Sequence, residues 1–312
     1  MLNVTFQPAE ASRCCLDIPI LLSTLPSLVT ASIDIQASVT PETTALFWLP
    51  NLAQGNTSSE LRSILLNQGK SISFIQLPMT GVDDFIPLMK EGCYAKPVAE
   101  HALSQILCLS RGLHLHPPPT SSHCDTLFNK SILIIGNGSI SHNLRTLLIP
   151  FNCSITVLGS TSTPDDLKKS LKAAQLIVLA CPLTQKTHNM FNEQMLKWIR
   201  TNAMLINVAR GEIVQTDALL DALQHERLKC AALDVITYNS PSSCPSNTDD
   251  EDRQRSLVQQ LVKQGKLLLT PHSAIPSHLI PQLLGQRIRQ NLARLVDGQD
   301  EFVGLVDAEK GY

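Results

Sequence analysis

The chain has 312 residues, a length that favours about two domains. Hydrophobic residues make up 43% of it and charged residues 17%, with a formal net charge of −2, so the composition supports buried cores and argues against nucleic acid or an anionic membrane as a partner. No run approaches the roughly 18 apolar residues of a membrane span, and nine irregularly spaced cysteines without a CxxC pair argue against a disulfide framework or a metal site and for reduced thiols in the cytoplasm.

The first third of the chain predicts a small α/β domain. Apolar runs rich in β-branched and aromatic residues indicate strands, and segments with a 3.6-residue apolar period indicate helices. The predicted strands are 2–6, 45–49 and 71–77, and the predicted helices are 58–68 and 98–113. The proline-rich segment 114–123 cannot form regular structure beyond its first residues.

From residue 131 onward, predicted strands and helices alternate. The strands are 131–135, 154–158, 176–180, 203–208, 230–235 and 267–270, and the helices are about 140–149, 163–173, 192–199 and 216–227. Such alternation is typical of a doubly wound parallel sheet. The expected fold class is therefore α/β, with a Rossmann-type nucleotide domain and a second, smaller α/β domain.

Two later segments have distinct signatures. The acidic stretch 240–254 is rich in Pro and Ser and predicts a mobile surface loop. A long helix is predicted over 276–298, ending at Gly298, and Pro281 either kinks this helix or marks its true start.

Two basic side chains follow predicted strands. Arg210 comes after the strand 203–208 and His272 after the strand 267–270. Ligands of open α/β sheets bind outside the carboxyl ends of the strands. A guanidinium can hold a carboxylate by two hydrogen bonds, and an imidazole can donate a proton near neutral pH. The pair therefore predicts an enzyme that reduces a 2-keto acid. The alternatives are a surface ion pair for Arg210 and a structural role for His272. His101 is expected to be structural.

A glycine turn, Gly136–Asn137–Gly138, follows the strand 131–135 and opens a helix. Backbone N–H groups of such a turn can approach a pyrophosphate, although an ordinary glycine turn has the same sequence. Ser141 stands where a third glycine is usual. The helix is therefore expected to lie farther from the strand, or the Ser141 side chain to tuck in.

The end of the second strand bears on the choice of nucleotide. The acidic residue that binds the ribose lies about 20 residues after the glycines, and here that place is Gly159, with no carboxylate nearby. Ser160, Thr161 and Ser162 could donate hydrogen bonds to a phosphate instead. This turn slightly favours NADP over NAD, with a plain polar turn as the alternative.

Five segments, in order and at the expected spacing, resemble the NAD(P)-dependent D-isomer-specific 2-hydroxyacid dehydrogenases, of the glyoxylate/hydroxypyruvate reductase type. They are 136–140, CPLTQKT at 181–187, NVARGEIV at 207–214, AALDV at 231–235 and TPHSA at 270–274. LPMTGVDD at 77–84 and YAKPVAEHAL at 94–103 resemble that family's substrate-domain loop and interdomain helix. The resemblance covers roughly residues 70–312.

The resemblance implies an arrangement of domains and partners. Residues 1–104 would form the substrate-binding domain, 105–281 the dinucleotide-binding domain, and 282–312 a C-terminal helix and tail that return to the substrate domain. It further implies an active-site cleft, a homodimer formed through the nucleotide domains, NADP or NAD as cofactor, and a small 2-keto or 2-hydroxy acid as substrate.

It also implies roles for particular residues. The cofactor would be bound by Gly136, Gly138, Ser139, Ile140, Ser160, Pro182, Thr187, Val208, Ala209, Asp234 and Ala274. Arg210 and His272 would be catalytic, and backbone N–H groups of Thr80, Gly81 and Val82 would help to bind the substrate carboxylate. Asp234 would hold the nicotinamide carboxamide; the alternative is an aspartate that caps a helix or lies in a loop. For Pro182–Thr187 the alternative to cofactor binding is a generic loop between a strand and a helix.

The sequence departs from the family at the acid partner of the histidine. The family has a glutamate five residues after the strand-end aspartate, and this chain has Asn239 there, or Ser240 if one residue is inserted. The stretch between Gly81 and Tyr94 is also shorter than the family pattern. Two hypotheses follow: a reductase that gives the D-2-hydroxyacid, which the retained Arg210 and His272 favour, and a nucleotide-binding regulator on the same fold.

Overall fold

The computed structural model describes residues 1–7, 16–49, 58–68, 71–77, 94–116, 124–238, 248–299 and 302. The chain divides into two compact units, Met1–Tyr94 with Pro276–Tyr312, and Ala95–Ile275. The divisions expected from the sequence were 104/105 and 281/282. In the structure the divisions fall at 94/95 and 275/276. Each precedes a long helix, Ala95–Arg111 or Ile280–Val296, so each of these helices belongs to one unit as a whole.

The first unit is built on a four-stranded parallel sheet with strand order β2-β1-β3-β4. Its strands are β1 (Leu2–Gln7), β2 (Ile33–Gln36), β3 (Ala45–Trp48) and β4 (Phe74–Gln76), and its helices are α1 (Ile18–Ser23), α2 (Ser27–Ser32), α3 (Ser58–Gln68) and α10 (Ile280–Val296). Strand β3 is buried throughout because both faces of the sheet are covered. Phe47 packs in a cluster with Leu284 and Ile288 of α10, and Leu46 packs in another with Leu61 of α3.

Helix α10 decides between the two roles considered for Pro281. The helix begins at Ile280 and places Pro281 in its first turn, where the missing N–H has no intrahelical partner to lose. Gly298, just past the helix, has a positive φ of 64°, as a helix-terminating glycine often does. Pro281 therefore marks the true start of the helix.

The second unit is a six-stranded parallel sheet with strand order β10-β9-β8-β7-β5-β6. Its strands are β5 (Ser131–Ile135), β6 (Ser154–Leu158), β7 (Leu176–Leu179), β8 (Met204–Asn207), β9 (Cys230–Leu233) and β10 (Leu267–Leu269). Its helices are α4 (Ala95–Arg111), α5 (Ser139–Leu148), α6 (Pro164–Ala173), α7 (Glu193–Trp198), α8 (Thr216–Gln224) and α9 (Thr248–Lys263). The expected α/β fold class is confirmed, and each strand end lies within two residues of its prediction.

The chain order places a topological switch point between β5 and β7. From β5 the chain passes to β6 on one side, then crosses back to β7 on the other side. The crevice outside the carboxyl ends of two such strands is the usual ligand site of open α/β sheets. The glycine turn follows β5 directly and therefore lies at this crevice.

The predicted surface loop 240–254 is wrong over 248–254, where α9 begins. The acidic residues 250–252 fall in the first turns of this helix, where carboxylates suit the positive end of the helix dipole. Buried Gln254 donates a 2.9 Å hydrogen bond from Nε2 to Asp217 Oδ1 of α8, and Val258 joins the core.

No helix within the described residues is long and apolar enough to cross a membrane.

Candidate active site

The turn after β5 requires glycine at its first position. Gly136 has φ +113°, and a Cβ there would lie 2.4 Å from the carbonyl oxygen of Ala180, at the end of β7. Gly138 caps the N-terminus of α5 without a side-chain hydrogen bond, and a Cβ on it would meet nothing within 4 Å. The first N–H groups of a helix lack intrahelical partners. Open space beside Gly138 and free helical N–H groups fit the pyrophosphate of a dinucleotide.

Ser141, at the place of the third glycine, tucks in. Its side chain is fully buried, and its hydroxyl donates a 2.6 Å hydrogen bond to the carbonyl oxygen of Gly136. The hydroxyl therefore supports the carbonyl of the glycine turn from inside, which decides between the two packings expected from the sequence.

The turn after β6 is closed by its own residues. The backbone N–H of Gly159 donates to Ser162 Oγ at 3.1 Å, and the N–H of Ser162 donates to the carbonyl oxygen of Gly159 at 3.1 Å. Ser160 is exposed. A Cβ on Gly159 would lie 3.2 Å from Cβ of Asn137, so this turn borders the glycine turn. Ser162 is thus engaged in the turn, and Ser160 and Thr161 remain exposed to reach a ligand.

The segment after β7 folds back on itself. The hydroxyl of Thr187 donates to the carbonyl oxygen of Pro182 at 2.7 Å and accepts from the backbone N–H of Thr184 at 2.7 Å. Burial raises the pKa of the neighbouring Cys181 thiol to about 12. This cysteine therefore stays protonated at neutral pH and supplies no nucleophile.

The turn that carries Arg210 is held by a buried asparagine at the end of β8. Asn207 accepts from the backbone N–H of Ala209 at 3.0 Å and donates from Nδ2 to the carbonyl oxygen of Arg210 at 2.9 Å. Arg210 Nη1 donates to the carbonyl oxygen of Ala209 at 2.7 Å. Val208 and Ala209 are buried, and the Arg210 side chain is half-buried. The asparagine thus fixes the backbone from which the guanidinium extends.

The turn that carries His272 is anchored on one carboxylate. Asp234, which follows β9, is buried and accepts at Oδ1 from the Thr270 hydroxyl at 2.5 Å and the Ser273 N–H at 2.9 Å, and at Oδ2 from the Ala274 N–H at 3.2 Å. The backbone N–H of His272 also donates to the carbonyl oxygen of Asp234 at 3.1 Å. His272 itself is exposed and has a positive φ of 51°. The turn thus presents the imidazole to solvent.

His101 of α4 approaches the same carboxylate. Its Nε2 lies 3.2 Å from Asp234 Oδ1 and 3.1 Å from Thr270 Oγ1. Burial raises the pKa of Asp234, but hydrogen bonds from His101, Thr270 and Ser273 outweigh burial and hold this pKa at about 2. Asp234 is therefore ionised at neutral pH.

The parallel sheet brings these turns to one edge. Glycine turn, Arg210, Asp234 and His272 follow β5, β8, β9 and β10, and the carboxyl ends of parallel strands meet at the same side of a sheet. In the strand order, β8 and β10, which lead to Arg210 and His272, flank β9, which leads to Asp234. Neighbouring strands of a sheet are roughly 4.8 Å apart. Five of the sequence-predicted residues lie outside the described ones: Thr80, Gly81, Val82, Asn239 and Ser240.

Two supporting residues were missed from the sequence. Asn207 and Thr270 both follow apolar strand residues, and a polar side chain in that place was the available signal. Among the described residues, no group of three His, Cys, Asp or Glu side chains could hold a metal ion.

Comparison with known proteins identifies the family. The family model described as D-isomer specific 2-hydroxyacid dehydrogenase, NAD binding domain, matches residues 113–274. An uncharacterized protein of the proB 3′ region of Corynebacterium melassecola is 27% identical over 272 residues, which cover 78% of this chain and 84% of that protein. A glyoxylate reductase of Pyrococcus horikoshii is 28% identical over 199 residues, 61% of this chain and 54% of that enzyme.

The fold is shared with solved structures. The D-isomer specific 2-hydroxyacid dehydrogenase of Xanthobacter autotrophicus, solved with NADPH and MES, superposes with a TM-score of 0.69 at 19% identity, covering 99% of both chains. The family match spans the whole nucleotide-binding sheet, β5 to β10, with its glycine turn, Arg210 and His272. The chain therefore belongs to the D-isomer specific 2-hydroxyacid dehydrogenase family.

Proposed function

We propose that the protein reduces a small 2-keto acid of the glyoxylate or hydroxypyruvate type to the D-2-hydroxyacid, using NADPH or NADH. One observation carries this proposal: Arg210 and His272 follow two strands that flank β9, at the same sheet edge as the glycine turn. A group that binds carboxylates and a group that transfers protons thus share the edge at which a dinucleotide binds.

The nucleotide would be held by groups along this edge. Gly138, Ser139 and Ile140 would bind the pyrophosphate through backbone N–H groups at the start of α5. Gly136, whose own N–H donates to the Leu158 carbonyl oxygen at 2.7 Å, would contribute the tight turn that brings the cofactor close to the backbone. Ser160 would reach the ribose or its 2′-phosphate, and the absence of a carboxylate in the turn 159–163 supports a slight preference for NADP. The remaining residues proposed to contact the cofactor are Pro182, Thr187, Val208, Ala209, Asp234 and Ala274.

Asp234 has a second role to reconcile with the cofactor. Its carboxylate already accepts from Thr270, Ser273 and Ala274 and lies against His101. An ionised carboxylate has about four acceptor positions. A carboxamide bound here would therefore share an oxygen with one of these donors, so anchoring the His272 turn is the larger part of Asp234's role.

When bound, the nicotinamide would supply a hydride to the keto carbon. Arg210 would bind the substrate carboxylate with its planar guanidinium, helped by the backbone of Thr80, Gly81 and Val82. His272 would donate its proton to the keto oxygen as general acid, and its exposed position leaves the imidazole open to substrate and to solvent protons. Holding the reactants in this way can remove several kcal/mol from the barrier.

The decisive experiment measures the loss of NADPH and NADH absorbance with glyoxylate, hydroxypyruvate and pyruvate. We expect turnover with at least one small 2-keto acid, a D product by chiral chromatography, and strong loss of turnover in His272→Asn. If the protein binds nucleotide but reduces none of these acids, the activity is refuted and the regulator hypothesis replaces it. Sedimentation of the same sample tests the homodimer, and fractionation of the source cell tests the cytoplasmic location, which are both part of this proposal.

A further inference from the structure

The His272 turn adopts a backbone conformation that needs support. A non-glycine residue with φ of 51° lies in the left-handed region, which L-residues adopt uncommonly and at a cost in free energy. Three donors of the same turn, from Thr270, Ser273 and Ala274, converge on the Asp234 carboxylate. The position of the catalytic imidazole therefore depends on where this carboxylate is held.

The donors and acceptors around Thr270 and Asp234 provide the basis for assigning the tautomer of His101. The Thr270 hydroxyl gives its proton to Asp234 Oδ1, and Gln105 Nε2 donates to Thr270 Oγ1 at 3.1 Å. Asp234 is a carboxylate and can only accept. Two further groups lie near His101 Nε2: Asp234 Oδ1 at 3.2 Å and Gln105 Nε2 at 3.1 Å. Gln105 already donates one proton to Thr270 Oγ1, whereas a lone pair on His101 Nε2 would face an ionised carboxylate oxygen. We therefore assign the proton to His101 Nε2, which donates to Asp234 Oδ1.

We propose that His101 is a positioning residue, which holds the His272 turn in its reactive geometry by donating from Nε2 to the Asp234 carboxylate. This inference rests on the proposed function of His272 as the general acid. Helix α4 carries both His101 and Gln105, four residues apart on one helix face, so both side chains reach the Asp234–Thr270 pair from outside the sheet.

The arrangement links two separate elements of the unit to the reacting group. Helix α4 packs directly on α5, β8 and β9, so His101 connects a rigid helix to a strand-end turn. Without the His101 N–H, the donors to Asp234 Oδ1 among the described residues would be those of the turn itself, Thr270 and Ser273. Asp234 and residues 270–274 could then shift together, and a displacement of the imidazole by about 1 Å can cost roughly 100-fold in rate.

The test compares His101→Leu with His101→Gln, whose side-chain amide can place a donor near the position of Nε2. We expect His101→Leu to lower kcat by about tenfold or more, with KM for the keto acid and Kd for NADPH changed by less than about threefold. His101→Gln should recover most of kcat. Exposed His116→Leu, five residues past the end of α4, is the matched control and should match wild type.

A kcat that is unchanged in His101→Leu, or no recovery in His101→Gln at equal melting temperature, overturns the inference. Ring-nitrogen NMR of the wild type adds a readout that needs no turnover. We expect the Nε2–H form of His101 and a single sharp His272 ring signal that broadens or splits in His101→Leu; an Nδ1–H form, or an unaltered His272 signal, refutes the positioning role. A wild type that reduces nothing refutes the proposed function instead, and the ring signals then decide this inference alone.

Discussion

Gly136 and Ala180 approach so closely that no side chain fits between them. A Cβ on Gly136 would lie 2.4 Å from the Ala180 carbonyl oxygen and 2.8 Å from the backbone nitrogen of Cys181. This approach joins the ends of β5 and β7 at the switch point, and the turn leads directly into α5, whose first N–H groups have no intrahelical partner. The two glycines of this turn therefore have different physical reasons to be glycine.

A pair of alanine variants separates these reasons. Gly136→Ala should lower the free energy of unfolding by several kcal/mol, because the backbone must leave φ +113° or displace Ala180. Gly138→Ala should keep the wild-type melting temperature, since its Cβ meets nothing within 4 Å, but should bind NADPH roughly tenfold more weakly, because the methyl group fills the space beside the pyrophosphate. Thermal melts and fluorescence titration with NADPH measure both effects. Equal nucleotide affinity in Gly138→Ala and wild type would show that the pyrophosphate lies elsewhere.

A conservative change tests the carboxylate-binding role of Arg210. Arg210→Lys keeps the charge and loses the planar fork, so kcat/KM should fall by roughly tenfold or more, given about 1.5–3 kcal/mol for a hydrogen bond to a charged group. Steady-state kinetics with the best 2-keto acid measure this, and exposed Arg200→Lys is the control in the same unit. Wild-type kinetics in Arg210→Lys would remove Arg210 from the substrate site.

Much of the nucleotide-binding unit could be predicted from the sequence because its strands are largely apolar. Each of the six strands is a short hydrophobic run separated from the next by more polar segments, a local pattern that does not depend on the rest of the fold. The start of helix α9 could not be predicted, because its acidic first residues and the Pro/Ser-rich residues before them are typical of loops. Only its packing against α8, through Gln254 and Val258, shows why it is helical.

The support of the site depends on tertiary contacts that the sequence does not encode locally. Asp234 lies some 36 residues from Thr270, its hydrogen-bond partner, and His101 lies farther still. The sequence predicts Asp234 at a strand end, but it could not show that the Asp234 carboxylate accepts hydrogen bonds from the His272 turn. It likewise left open whether Ser141 tucks in, because that choice depends on the packing of α5 against β5.

The turn after β6 allows a test of nucleotide preference. Gly159→Asp should shift the preference from NADPH toward NADH several-fold, because a carboxylate beside the ribose repels a 2′-phosphate. Gly159→Asn is the matched control of equal size, since both side chains must accommodate Asn137 at 3.2 Å from Cβ. Titration of each variant with both nucleotides gives the ratio. A wild type that strongly prefers NADH would contradict the proposed role of this turn.

The lowered pKa of Asp234 predicts how stability changes with pH. The folded-state pKa is about 2 against an ordinary 3.8, so the ionised carboxylate stabilises the fold by roughly 2–3 kcal/mol. That contribution is complete above about pH 4 and is lost as the pH falls through about 2. Urea denaturation should therefore show Asp234→Asn less stable than wild type at neutral pH, with a difference that shrinks below about pH 4. Exposed Asp165→Asn is the control. A difference independent of pH would mean that the charge of Asp234 is not what stabilises the turn.

Restoring an acid near the histidine tests the chain's main departure from its family. A carboxylate stabilises a neighbouring imidazolium, whereas an amide, which is what Asn239 would supply in that place, could only orient the ring. General acid–base catalysis contributes roughly 10²–10⁴ in rate, so a protein without this partner should still turn over slowly. Asn239→Glu should raise kcat several-fold, and Ser240→Glu must be tested beside it because the alignment is ambiguous by one residue; Asn239→Gln, equal in size but uncharged, should not. If neither glutamate variant raises kcat while the wild type is fully active, another group has replaced the missing carboxylate or His272 is not the acid.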